Sequence, residues 1–206
     1  MTLMNRPILV ALVLLLAVLP SAASADAKVE SVDFVWSAHR AFFDFVGKGD
    51  HQVIAYYDAS RQMSVAHRES NKPWRFQKVP SSLGWDSHNS VVIGIDEAGH
   101  IHVAGHMHND PLVYFRSQKP FDVRSLKQVA SLVGGVEEEK ATYPHFFNCP
   151  DGRLYFKHRY GSSGNGVELF KVFVTDTLEW RQLHETAFVD GEGQIPNCVP
   201  REDVGP

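Results

Sequence analysis

Cysteine is scarce: Cys149 and Cys198 are the only two in 206 residues. That excludes a disulfide-dense scaffold and any metal framework built on clustered thiolates. In an oxidising compartment the two either pair with each other or remain as buried thiols. A third arrangement, Cys149 with His145 and His158 around zinc, matches no zinc-finger spacing and lacks a fourth ligand. Long apolar runs are equally scarce, with one from Ile8 to Leu19 and none after it. Charge of one sign is not in excess either: the formal net charge is −4 and the pI near 6.2. Bulk electrostatics therefore argue against a nucleic-acid partner. Helical periodicity is almost missing, and Val123 to Leu132 is the only mature segment read as a short helix.

The single apolar run sits behind Arg6 and ahead of Ala23-Ser24-Ala25, the layout of a secretory signal with cleavage before Asp26. The run is too short for a comfortable membrane span. Residues 1–25 are read as a signal peptide, and residues 26–206 as one secreted or periplasmic domain that does not bind membrane after cleavage.

Repetition organises that domain. A Gly-containing turn, an alternating strand, a connection, a second alternating strand and an aromatic residue recur three times. The units are GDHQVIAYY with MSVAHRES and Trp74; EAGHIHVAG with LVYFRSQK and Phe121; and PDGRLYFKHR with VELFKVFV and Trp180. A period near fifty residues with several short strands per unit points to an all-β chain of propeller blades. At that period residues 26–206 supply about three and a half blades, whereas a closed ring uses about four to eight. The expectation is an incomplete propeller, from a truncated chain. A small β-sandwich, or a ring completed by a second copy, is the alternative, and the oligomeric state stays open.

Five of the eleven histidines fall between Trp85 and Ser117, and His88 and His108 bracket a strand pair there. Histidine changes charge near neutrality, so two converging in a cleft suit proton transfer or metal binding. His102, His106 and His108 follow at intervals of two, which places all three on one side of any continuing strand. No acidic residue within that strand joins them, so no metal ligands are assigned and a structural ion is kept as a minor option. Four positions then stand out: His88, His108, Tyr143 in TYPHF, and Arg159 in HRYGSSGNG. Each has a plain structural reading as well: a turn-capping histidine, a packed histidine, a half-buried strand tyrosine and a surface ion-paired arginine.

The segments WDSHN, GHIHVAGHMH, LVYFRS, TYPHF and HRYGSSGNG, in that order, resemble the secreted BNR-repeat propeller family that includes the ulvan lyases, over about Phe42 to Gln194. The resemblance implies a polysaccharide lyase that cleaves a uronate-containing, possibly sulfated chain by β-elimination without a cofactor. It implies His88 as base, Tyr143 as acid, and Arg159 with His108 as the pair that neutralises the substrate carboxylate. The acid and base roles are exchangeable at this stage. Asn89, Arg116 and Tyr160 are the expected substrate-binding residues, and an acidic polysaccharide is the expected partner.

Two other functions compete. A sialidase-like glycoside hydrolase needs two placed carboxylates, for which Asp86 and Asp110 are the nearest candidates. A non-catalytic carbohydrate-binding fragment needs none. The tryptophans Trp36, Trp74, Trp85 and Trp180 invite sugar stacking, but three fit repeat positions, so core packing is expected. Glu137, Glu138 and Glu139 read as a solvated loop.

Overall fold

The computed structural model describes residues 29–38, 43–187 and, as backbone, 189–190. The proposed signal peptide and Cys198 lie outside the described residues. Alternating side chains build the first sheet from β1 (Phe43–Lys48), β2 (His51–Tyr57), β3 (Gln62–Glu69) and β4 (Arg75–Ser82), paired antiparallel in that order. The second holds β5 (Val91–Ile95) and β6 (Ile101–Gly105). The chain then leaves it for β7 (His108–Asp110) and returns as β8 (Tyr114–Ser117) and β9 (Leu126–Gln128). The third consists of β10 (Ala141–Asn148), β11 (Leu154–Tyr160), β12 (Val167–Val174) and β13 (Glu179–Gln182), with β14 (Val189–Asp190) also on β12 and β7 added at the β10 edge. These are three propeller blades. The repeats read from the sequence are the second and third strands of each blade, β2–β3, β6–β8 and β11–β12.

The middle blade is packed on both faces, so all five residues of β5 and all five of β6 are buried. The two-residue period of a strand divides them. Val91, Ile93, Ile95, Ile101 and Val103 join Val53, Val65 and Met63 of the first blade in one core. Val92, Ala104 and Tyr114 join Phe146, Phe156, Phe173 and Trp180 of the third in another. At Gly94 the blades approach so closely that a Cβ would lie 2.7 Å from Leu154 Cδ1 and 2.9 Å from Phe146 Cβ. Only glycine fits there without separating the sheets.

His102 falls on the second core's side and is fully buried. Its Nδ1 lies 2.7 Å from the Tyr114 hydroxyl, which accepts from Trp180 Nε1 at 3.1 Å, and its Nε2 lies 3.4 Å from Asp96 Oδ2. The expected alignment of His102, His106 and His108 on one face is not found. The strand ends at Gly105, and His106 takes a left-handed backbone (φ 58°) that swings the following residues out of the blade. Leu112, returning from β7, is held by its amide on the Glu138 carbonyl at 2.8 Å.

Val123–Leu132 is not an α-helix: it begins with a single 3₁₀ turn, Val123–Ser125, which Asp122 caps by accepting from the Arg124 amide, and then enters β9. Glu138 is not solvated but buried, because its carboxylate accepts the amides of Leu132 and Val133 at 2.9 Å and of Gly134 at 3.3 Å.

Burial, opposed by the Asp96 carboxylate, lowers the His102 pKa to about 4, against about 6.5 in an unfolded chain. The folded state therefore resists a proton that the unfolded state accepts, and stability falls as pH drops from about 6.5 towards 4, by about 3 kcal/mol for this residue. Urea unfolding at pH 7 and pH 5 should show about 2 kcal/mol of that loss. His102→Gln, which cannot titrate, should lessen the slope and leave the share of the other buried histidine, His158, whose pKa burial lowers to about 3; an unchanged slope would contradict the assignment.

Candidate functional site

The excursion through β7 carries His108 from the middle blade to the edge of the third, where it pairs opposite Thr142 on β10. The Asn109 amide donates to Thr142 Oγ1 at 2.7 Å, which fixes this crossing. On the far side of Thr142 the β10–β11 register slips between Thr142 and His145, so Tyr143 and Pro144 form a bulge, with Tyr143 at φ 54°. Bulges re-aim side chains out of the alternating pattern. Here the result is that Tyr143 joins the wall of a cleft of about 540 Å³ together with His88, His108, Asn109, Arg159, Ser162 and Ser163. The four residues singled out from the sequence thus share one cavity.

Asp86 organises the two imidazoles. Its Oδ1 faces His88 Nδ1 at 2.8 Å and accepts the His88 amide at 2.9 Å, while its Oδ2 hydrogen bonds with His108 Nδ1. The rings stack with centroids 4.4 Å apart and planes 24° from parallel. The His88 amide chiefly, and then the two imidazoles, hold the Asp86 carboxyl well below the usual carboxylate range despite some opposing desolvation. A carboxylate on Nδ1 leaves Nε2 of each ring as the atom available to a ligand. Asp86, His88 and His108 are also the one group of His, Cys, Asp and Glu among the described residues whose ligand atoms, all within 4.8 Å of one another, suit a metal ion.

Arg159, in β11 opposite Thr142, is 3% exposed. Its Cζ stands 4.9 Å from the centroid of the Tyr143 ring, a cation–π contact that braces both. Its Nε and Nη1 are buried and have no hydrogen-bond acceptor. Buried guanidinium donors without an acceptor are costly, and an anion in the cleft would satisfy them. The stem of Arg159 lies over Gly166, where a Cβ would come within 2.8 Å of Arg159 Cδ and 2.9 Å of the Ser162 carbonyl oxygen.

The three expected binding residues lie elsewhere. Asn89 is buried and does not line the cleft; Asn109 does. Arg116 braces the second blade on the third, donating from Nη1 to the Leu178 carbonyl at 2.5 Å with its Cζ 5.6 Å from the Phe173 ring centroid. Tyr160 follows Arg159 on the strand and alternation sends it to a separate hollow that includes Val167 and Lys171. Of the carboxylates considered for hydrolysis, Asp86 is engaged by both imidazoles, and Asp110 is exposed, with its Oδ2 accepting the His108 amide at 3.2 Å. The zinc arrangement is not assembled: His158 is buried with Nε2 3.2 Å from the Glu137 carbonyl oxygen, whereas His145 is exposed. Asp86 as an orienting group, and Asn109, Ser162 and Ser163 as wall residues, escaped the sequence reading. The Asp-x-His spacing of Asp86 and His88 was the available signal for the first.

Residues 51–199 match the pattern described as BNR repeat-containing family member, and the chain belongs to that family. Among curated proteins none matches the chain significantly. Among solved structures, the polysaccharide lyase Uly1 superposes with a TM-score of 0.63 at 15% identity, over 78% of this chain and 45% of that one. A PL25 ulvan lyase, solved also bound to -[GlcA(1-4)Rha3S]-, gives 0.55 at 14% identity, over 71% of this chain and 37% of that one. The chain therefore spans less than half the length of these lyases, and at such identities the likeness establishes the propeller fold.

Gly166→Ala should destabilise the protein by about 1–3 kcal/mol, the usual cost of forcing a methyl into a filled space. Chemical denaturation measures it, and wild-type stability in the variant would contradict the close seat described for Arg159.

Proposed function

We propose that this member of the BNR repeat-containing family is an exported polysaccharide lyase that takes a uronate-containing chain into the cleft and cleaves it by β-elimination. The observation that carries the reading is the buried Arg159 guanidinium, whose Nε and Nη1 lack an acceptor in a cleft that also holds two imidazoles and a phenol. A guanidinium presents paired donors that match a carboxylate. With Arg159 and His108 on the uronate carboxylate, negative charge spreading into that group during removal of the C5 proton is stabilised.

His88 then serves as base through Nε2, since its Nδ1 is engaged by Asp86. The electron pair of the C5–H bond forms the C4–C5 double bond as the bond from C4 to O4 breaks. Tyr143 gives its phenolic proton to O4, and the product carries an unsaturated uronate at its new non-reducing end. Proton exchange with solvent restores His88 and Tyr143. Asp86 holds the base in place, as an orienting carboxylate does for a catalytic histidine in other enzymes. Hydrolysis would require a carboxyl group that stays protonated to act as acid, and Asp86, held well towards its ionised form, does not suit that part.

The protein is to be incubated with uronate polysaccharides, ulvan first, while ultraviolet absorbance of the unsaturated product is followed. His88→Ala and Tyr143→Phe should each lower the rate roughly 10²–10⁴-fold, the usual contribution of a positioned acid or base. Arg159→Lys, which keeps charge but loses the paired donors, should also lose activity. Reducing ends without unsaturation would replace elimination by hydrolysis, and binding without either product would leave a carbohydrate-binding protein.

Asp86→Asn is the sharper test of the site's organisation. It should reduce the elimination rate on the order of 10²-fold or more while substrate still binds, because the ring it orients delivers the base. Full activity in that variant would mean that Asp86 does not orient the base.

A further inference from the structure

Trp85 precedes Asp86 directly and is 72% exposed. Large aromatic side chains bury most of their surface when packing is their role. Trp74 and Trp180, by contrast, sit partly or fully within the protein, the latter 5% exposed. The exposed indole is nonetheless held in place. Trp36 meets it edge-on, with centroids 5.4 Å apart and planes at 73°. The Arg61 Cζ stands 5.4 Å from the Trp85 centroid and 5.5 Å from that of Trp36. Arg61 is itself fixed at its backbone, which receives the Leu83 amide at 2.8 Å and so ties down the start of the loop that carries Trp85, Asp86 and His88. Its guanidinium makes no hydrogen bond or ion pair with a described residue.

The exposed ring, on the loop that supplies the cleft with His88, and the guanidinium of Arg61, from the turn just before β3, therefore stand together, with adjacent Cα atoms about 3.8 Å apart from Trp85 to Asp86. A sugar offers a C–H face for such a ring, and an acidic polysaccharide also offers an anionic substituent for the guanidinium. Resting on the function proposed above, we propose that Trp85 and Arg61 form an outer subsite for a second sugar residue of the same chain. The indole stacks on its ring, and Arg61 pairs with its sulfate or carboxylate. The platform thus lengthens the recognised segment beyond the residue that reacts.

The test is the dissociation constant for an ulvan hexasaccharide, measured by titration calorimetry in the His88→Ala background so that turnover does not consume the ligand. Trp85→Ala should weaken binding about fivefold, the scale of one aromatic contact, and Trp85→Phe should recover most of it. Thermal melting at the parent temperature checks that the exposed substitution leaves the fold intact. Arg61→Gln should weaken the intact ligand, and its effect should vanish on either the desulfated or the carboxyl-reduced hexasaccharide, which identifies the group it meets. Unchanged affinity in Trp85→Ala, or an Arg61→Gln loss that persists on both altered ligands, overturns the subsite and leaves the proposed function standing. A wild-type protein that neither binds nor cleaves ulvan overturns both.

Discussion

One carboxylate holds two imidazoles that the chain delivers from different places. Asp86 and His88 belong to the connection between the first and second blades, and His108 arrives on a strand that leaves the second blade to pair with the third. Without the shared Asp86 only ring contacts, His88 on His108 and His108 on Tyr143, would set the direction of the two imidazoles, and such contacts are weak. With it, both Nδ1 atoms turn to one charge and both Nε2 atoms are left for a ligand. The remaining groups, Tyr143 and Arg159, come from neighbouring strands of the third blade and brace each other by a cation–π contact.

The packing of the blades explains why this arrangement holds its shape. The middle blade is covered on both faces, so its strands cannot shift register without driving a buried residue into the wrong core. Gly94 lets the third blade approach closely, and the His102, Tyr114, Trp180 and Asp96 contacts fill what would otherwise be an unsatisfied polar gap in the second core. Several local departures from regular structure shape the cleft and its approach: left-handed backbone at His106, Asn109 and Tyr143, and a bulge at Tyr143-Pro144. Such strained positions persist where the surroundings over-determine them.

The blade repeat was legible because the strands at the centre of each blade alternate clearly and because Gly turns punctuate them. The opening strands β1, β5 and β10 were less distinct as repeat members. β10 contains a proline and a bulge, which break the alternation that a sequence pattern relies on. The positions of His88, His108, Tyr143 and Arg159 on one cleft were expected, whereas the binding roles of Asn89, Arg116 and Tyr160 were assigned without knowing which face each occupied. Arg159 and Tyr160 show the difficulty, since adjacent strand residues point to opposite sides. The β7 excursion left no period-based trace, because three residues pairing across blades carry no periodicity of their own. Asp86 was visible only as a carboxylate, and its work as an anchor depends on His108, which is distant in sequence.

The most direct measurement is a long-range ¹H–¹⁵N correlation spectrum of the histidine side chains at neutral pH, assigned with His88 and His108 substitutions. Both rings should carry their proton on Nδ1, with Nε2 unprotonated, and both should lose this preference in the Asp86→Asn protein. Protons on Nε2 in the unaltered protein, or a spectrum indifferent to Asp86, would contradict it.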